Sequence, residues 1–229
     1  MDLMYFLRER TDFVRYLYGA TVKPLIEVKR KISEREEPYR DMPSWDEHDD
    51  EPSFQTEWEN AGDAAAVMGI TCLGLVQSAF QSFLKEYLKE VGGQELVQRA
   101  GKKGNWFLNY KALFAESPEH DWTTSGADLT LIEQMILTRN DLQHNFGIFS
   151  NTASQSPDHA KKHPDSVFRD SEWPGGLLCG PAPLIVAPSQ LEATIQAVEK
   201  LCDYLEAARH RRLGGYSRSG SRKSREQYP

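Results

Sequence analysis

The stretch from about Phe54 to Val91 constrains the fold more than any other part of this 229-residue chain. It reads as one long helix, closed by Gly92-Gly93, because glycine readily takes the backbone conformation that ends a helix. Its most apolar part, Ala64 to Phe80, is 17 residues long and carries Thr71, Gln77 and Ser78. It then continues into Lys85, Glu86, Lys89 and Glu90. That is too short and too polar for a membrane span, so the segment predicts a buried core helix. Ala61, Ala64, Ala65, Ala66, Gly69 and Gly74 line its early half and let a neighbour approach closely. Phe80, Phe83, Leu84, Tyr87 and Leu88 give its later half a core-facing side. A helix of this kind belongs at the centre of an all-α bundle.

The remaining elements follow from spacing and punctuation. Tyr5, Phe6, Phe13, Tyr16 and Leu17 recur at helical intervals over residues 2–20. Pro24 suits the first turn of a second helix running to about Arg35. Residues 36–53 are acidic and interrupted by Pro38, Pro43 and Pro52, which predicts an exposed loop. Short helices are expected at Gln94–Arg99 and Trp106–Phe114, and a further helix from Ala127 to about Asn145. Residues 146–188 read as an irregular insertion, compatible with a short β-ribbon at 177–186. Ser189-Gln-Leu-Glu192 has the form of a capping box opening a last helix. The helical domain thus covers 1–208, and 209–229 reads as a basic, disordered tail.

Composition narrows the setting. Three cysteines with no Cys-x-x-Cys pair suggest a reducing cytoplasm and no thiolate zinc site. No secretory signal is visible at the N-terminus. The last 21 residues hold seven Arg or Lys against one acid, leaving 20 bases against 33 acids in residues 1–208. A body this acidic will not coat nucleic acid indiscriminately, so any such contact must be local.

Chemistry concentrates in Thr138-Arg-Asn-Asp-Leu-Gln-His-Asn145, within which Arg139-Asn140-x-x-x-His144 sets a cation, an amide and an imidazole in two helical turns. Histidine can take and give a proton near neutral pH, and the planar guanidinium suits a phosphate. Those are the minimum parts for metal-free RNA cleavage by the substrate's own 2′-hydroxyl. Asn140 and His144 lie about 40° apart on a regular helix, but Arg139 and His144 about 140° apart and about 7.5 Å along the axis. A single helix therefore makes a poor site. The arginine must curl round, the helix must end near Gly147, or a second copy must supply the missing side, with Ile136 and Leu142 open to a dimer contact.

Arg-Asn-x-x-x-His at the end of a helix in a small all-helical protein resembles the signature of the HEPN superfamily. The likeness is specific over Arg139 to Asn145 and elsewhere is one of layout. It implies a HEPN-like bundle and a metal-independent RNA endonuclease of a toxin–antitoxin or other defence system, working without a cofactor. Arg139 and His144 take the catalytic positions and Asn140 the polar position beside the arginine. It further implies a homodimer with a composite site, and it admits an antitoxin as partner. Some members have lost activity, so the alternative is a silent helical module that binds a protein or nucleotide.

Other candidates are weaker. Gly101-Lys102-Lys103-Gly104 followed by Trp106 could touch RNA. The acidic run at 46–51 matches no EF-hand spacing and reads as a solvated loop, although a third class of function, a metal-using helical enzyme, would draw on it. His159 and His163 stand four apart as zinc ligands on a helix do, but the lysines between them repel a cation and no metal is expected.

Overall fold

The computed structural model describes residues 2–40, 54–101, 105–117, 120–144, 151–171 and 181–220, without the side chains of 212–220. Among them lie six α-helices: α1 (Leu3–Glu34), α2 (Gln55–Ala100), α3 (Trp106–Ala115), α4 (Leu129–His144), α5 (Pro157–Lys162) and α6 (Pro188–Gly220). A 3₁₀ turn, Trp122–Thr124, precedes α4. The fold is all-α, with no strand among the described residues; Pro183 and Leu184 make only isolated antiparallel bridges to Ser154 and Arg169. Residues 172–180, which include the first four residues of the expected ribbon, lie outside the described residues, as do the acidic run at 46–51 and Lys102 and Lys103.

The chain divides into two compact units. One comprises residues up to Thr11, Ser78–Glu133 and the chain from Ile195; the other comprises Asp12–Gln77 and Gln134–Thr194. The first has an aromatic core. Trp122, 1% exposed, is ringed by Phe80, Phe107 and Phe114 at centroid distances of 6.0, 5.5 and 5.4 Å. The Tyr87 hydroxyl, equally enclosed, donates to the Leu205 carbonyl at 2.9 Å. The second unit is largely aliphatic, with Val14, Val22, Ile70, Leu73, Val76, Met135, Ile136, Leu184 and Leu191 buried. There the Tyr18 hydroxyl donates to the Val186 carbonyl at 2.6 Å, and burial pushes that phenol up to about 12.

Several expectations are corrected. Residues 3–34 form one helix, not two, because Pro24 sits on the exposed face, where a missing N–H costs least. The buried stripe of Val14, Tyr18 and Val22 carries on past it through half-buried Leu25, Val28 and Ile32. The aromatics that suggested this helix, Tyr5, Phe6, Phe13 and Tyr16, point outward instead. In α2 the break falls where expected: Gly93 has φ 69°, and the helix resumes to Ala100.

The capping box at 189–192 does not form. Pro188 opens α6, and the Gln190 side chain reaches back to accept the Ala187 N–H at 2.7 Å. That is the glutamine half of a capping box, with alanine in place of the hydroxyl residue. At its other end α6 continues to Gly220, through part of the segment expected to be disordered. Its continuation past Ala208 has a tertiary cause in Arg209, which is buried and ion-paired to Glu206 and to Glu90 of α2.

By length and apolar composition α2 could cross a membrane, but 56% of its most apolar window is buried inside the protein. It is a core helix.

Candidate functional site

The motif occupies the C-terminal half of α4. This helix starts where Asp128 caps it, accepting the Leu131 N–H at 2.9 Å. Ile132, Met135 and Ile136 are buried, and together they fix the helix's rotation. Ile136, only 3% exposed, is already core and is withdrawn from any dimer contact; Leu142 remains half-buried.

Arg139 and Asn140 are half-buried, and His144, the last residue of α4, is exposed. The guanidinium donates through Nη1 to Asn140 Oδ1 at 3.2 Å. That bond sets the amide's orientation: with its oxygen turned to the arginine, the Asn140 NH₂ is presented elsewhere as a donor. Asn140 therefore orients Arg139. Among the described residues, the structure joins Arg139 to Asn140 and joins neither to His144. The angular separation expected from helix geometry persists, and Asn145 lies outside the described residues.

A contact that sequence reasoning did not assign positions the arginine. Gly74 of α2 faces it so closely that a Cβ there would stand 3.3 Å from Arg139 Cγ. The glycine lets the aliphatic stem lie against α2 while the guanidinium projects beyond it. The only signal in the sequence was the run of small residues on α2, which says that something approaches and not what. Gly74→Ala is expected to change stability little, since about 1 kcal/mol of helix propensity offsets the crowding. It should displace Arg139 by a few tenths of an ångström, so activity should fall more than thermal stability. Melting temperature and cleavage rate measured on one preparation check this.

The other face of α4 is polar and buried. Gln134, Thr138 and Asp141 are all buried, and their i, i+4, i+7 spacing puts them on one stripe. Gln134 Oε1 accepts the Val167 N–H at 2.9 Å, and Asp141 Oδ2 meets His159 Nδ1 at 2.6 Å. His159 is thus committed to a carboxylate, with the His163 ring centred 6.1 Å away. The described residues contain no group of three or more side chains placed to hold a metal ion.

No family model matches this chain, and neither a curated protein nor a solved structure does so.

Proposed function

We propose that the protein is a metal-independent RNA endonuclease of the HEPN type, with Arg139, Asn140 and His144 as its site. The observation that carries this reading is the pairing of Arg139 with Asn140 beside an exposed His144 at the end of a helix. An arginine whose stem is packed and whose fork is oriented loses less freedom on gripping a phosphate than one free in solvent. His144, open to solvent, can reach a substrate.

His144 in its neutral form takes the proton of a ribose 2′-hydroxyl. The oxygen attacks the adjacent phosphorus, the P–O5′ bond breaks, the leaving 5′-oxygen takes up a proton from water, and the products are a 2′,3′-cyclic phosphate and a 5′-hydroxyl end. Arg139 neutralises the charge that builds on the phosphoryl oxygens, and the Asn140 NH₂ donates to one of them. Since Arg139 and His144 diverge on α4, two copies of the chain complete the site, the motif helix of each facing the other. The exposed end of α4 and half-buried Leu142 are the surfaces available for that contact. The free, buried thiols of Cys72 and Cys202 support a cytoplasmic setting.

The test is chemical. With EDTA present, the purified protein should cut an RNA oligonucleotide and leave cyclic-phosphate ends. The same oligonucleotide with a 2′-deoxyribose at the cut position should resist. Cleavage that needs added metal, or that ignores the deoxy substitution, would refute the mechanism.

A further inference from the structure

Asp141 follows Asn140 directly, yet it serves the opposite face of α4. At about 100° per residue its side chain leaves the helix about 200° round from Arg139. It is 4% exposed, and its partner His159 is fully enclosed. A carboxylate only accepts, so His159 Nδ1 carries the proton of this 2.6 Å hydrogen bond. The other ring nitrogen, Nε2, is sealed from solvent with no hydrogen-bond partner among the described residues.

This arrangement answers a local difficulty. A carboxylate in the last turn of a helix stands at the negative end of the macrodipole, and burial adds a desolvation cost. His159 offsets both. The bond also joins two segments that are weak alone. α5 has six residues, too few for an independent helix, and Ser156 caps it by accepting the His159 N–H. The last turn of a helix leaves carbonyls without helical partners and frays unless tied down. Two turns earlier on the same stripe, the Gln134–Val167 bond docks the far end of the same segment. Residues 151–171 are thereby held against α4 at two points, the second of them inside the motif.

We propose that His159 is a positioning residue for the Arg139–Asn140–His144 site. Through Nδ1 it holds Asp141 and so keeps the final turn of α4 wound, and that turn fixes where His144 is presented. The placing of His144 depends on the docking of α5. Any effect on RNA cleavage rests on the ribonuclease reading above; the effect on the helix end does not.

Amide hydrogen exchange on the full-length protein separates the two. In His159→Ala, amides 141–144 should exchange roughly tenfold faster or more, while amides 134–137 stay within about twofold of the parent. His159→Asn, whose amide nitrogen reaches the place of Nδ1, should restore protection. Unchanged exchange at 141–144 would overturn the proposal. So would acceleration spread evenly through α4 and α6, which would mark the pair as a general stability element. If the parent cuts RNA, His159→Ala should lower kcat with KM within about twofold, and His159→Asn should recover kcat. An active parent indifferent to His159→Ala would also overturn it. If the parent cuts nothing, the ribonuclease reading fails, and the exchange pattern still decides the positioning role.

Discussion

His144→Ala is expected to lower the RNA-cleavage kcat by about 10²–10⁴-fold, the range for loss of a general base. KM should change little, because an exposed imidazole contributes mainly in the transition state. Stability should stay within about 0.5 kcal/mol of the parent, since the side chain is exposed and makes no hydrogen bond with the described residues. Among the other histidines, His120 and His159 are buried, so neither can substitute as a base reaching the substrate. Arg139→Ala should lose activity comparably, and Arg139→Lys should recover only part of it. Lysine keeps the charge, but it lacks the planar fork that bonds Asn140 and spans two phosphoryl oxygens. Rates measured in EDTA, with circular dichroism confirming the fold, check the set. A His144→Ala protein that cuts RNA like its parent would sink the ribonuclease reading.

The second large effect concerns stability. Arg209→Met should destabilise the protein by about 3–5 kcal/mol, because it leaves a buried carboxylate without its cation. Arg209 and Glu206 are 6% and 7% exposed, and Arg209 also pairs with Glu90 across to α2. For a chain of this size the loss corresponds to a fall in melting temperature of about 6–20 °C. The deficit should depend on pH in a definite direction. Burial holds the Glu206 carboxyl above its ordinary value, so the native state binds that proton more tightly than the unfolded chain does. The stabilisation from protonation is complete below the ordinary glutamate range and is lost as pH rises through the raised native value. Without the guanidinium the native value should climb further, so Arg209→Met should be more damaging at pH 8 than at pH 5. Glu206→Gln combined with Arg209→Met should recover much of the loss. Thermal melts at the two pH values check all three statements.

How the site is built was only partly legible in the chain. The Arg139-Asn140-x-x-x-His144 spacing, together with 3.6-residue geometry, already required that Arg139 and His144 diverge, and they do. That spacing leaves open which neighbour each side chain meets. The Arg139–Asn140 bond and the close approach of Gly74 depend on the rotation of α4 about its axis, which Ile132, Met135 and Ile136 fix from a distance. The pairing of Asp141 with His159 joins residues 18 apart through a segment with the polarity of an exposed loop. Its one local sign was the Gln134, Thr138, Asp141 stripe, which on a helix of unknown neighbours reads equally well as a solvated face.

The same division holds for the fold. The all-α class, the long central α2, its break at Gly93 and the helical span of α4 were fixed by local sequence, because periodicity and glycine act within a few residues. The fate of Pro24, the outward turn of the α1 aromatics and the continuation of α6 past Ala208 were decided by tertiary structure. Each depends on which face of a helix finds a partner. Burial of an apolar stripe on both sides outweighs one missing hydrogen bond, and a buried arginine can hold a helix together where composition alone predicts disorder.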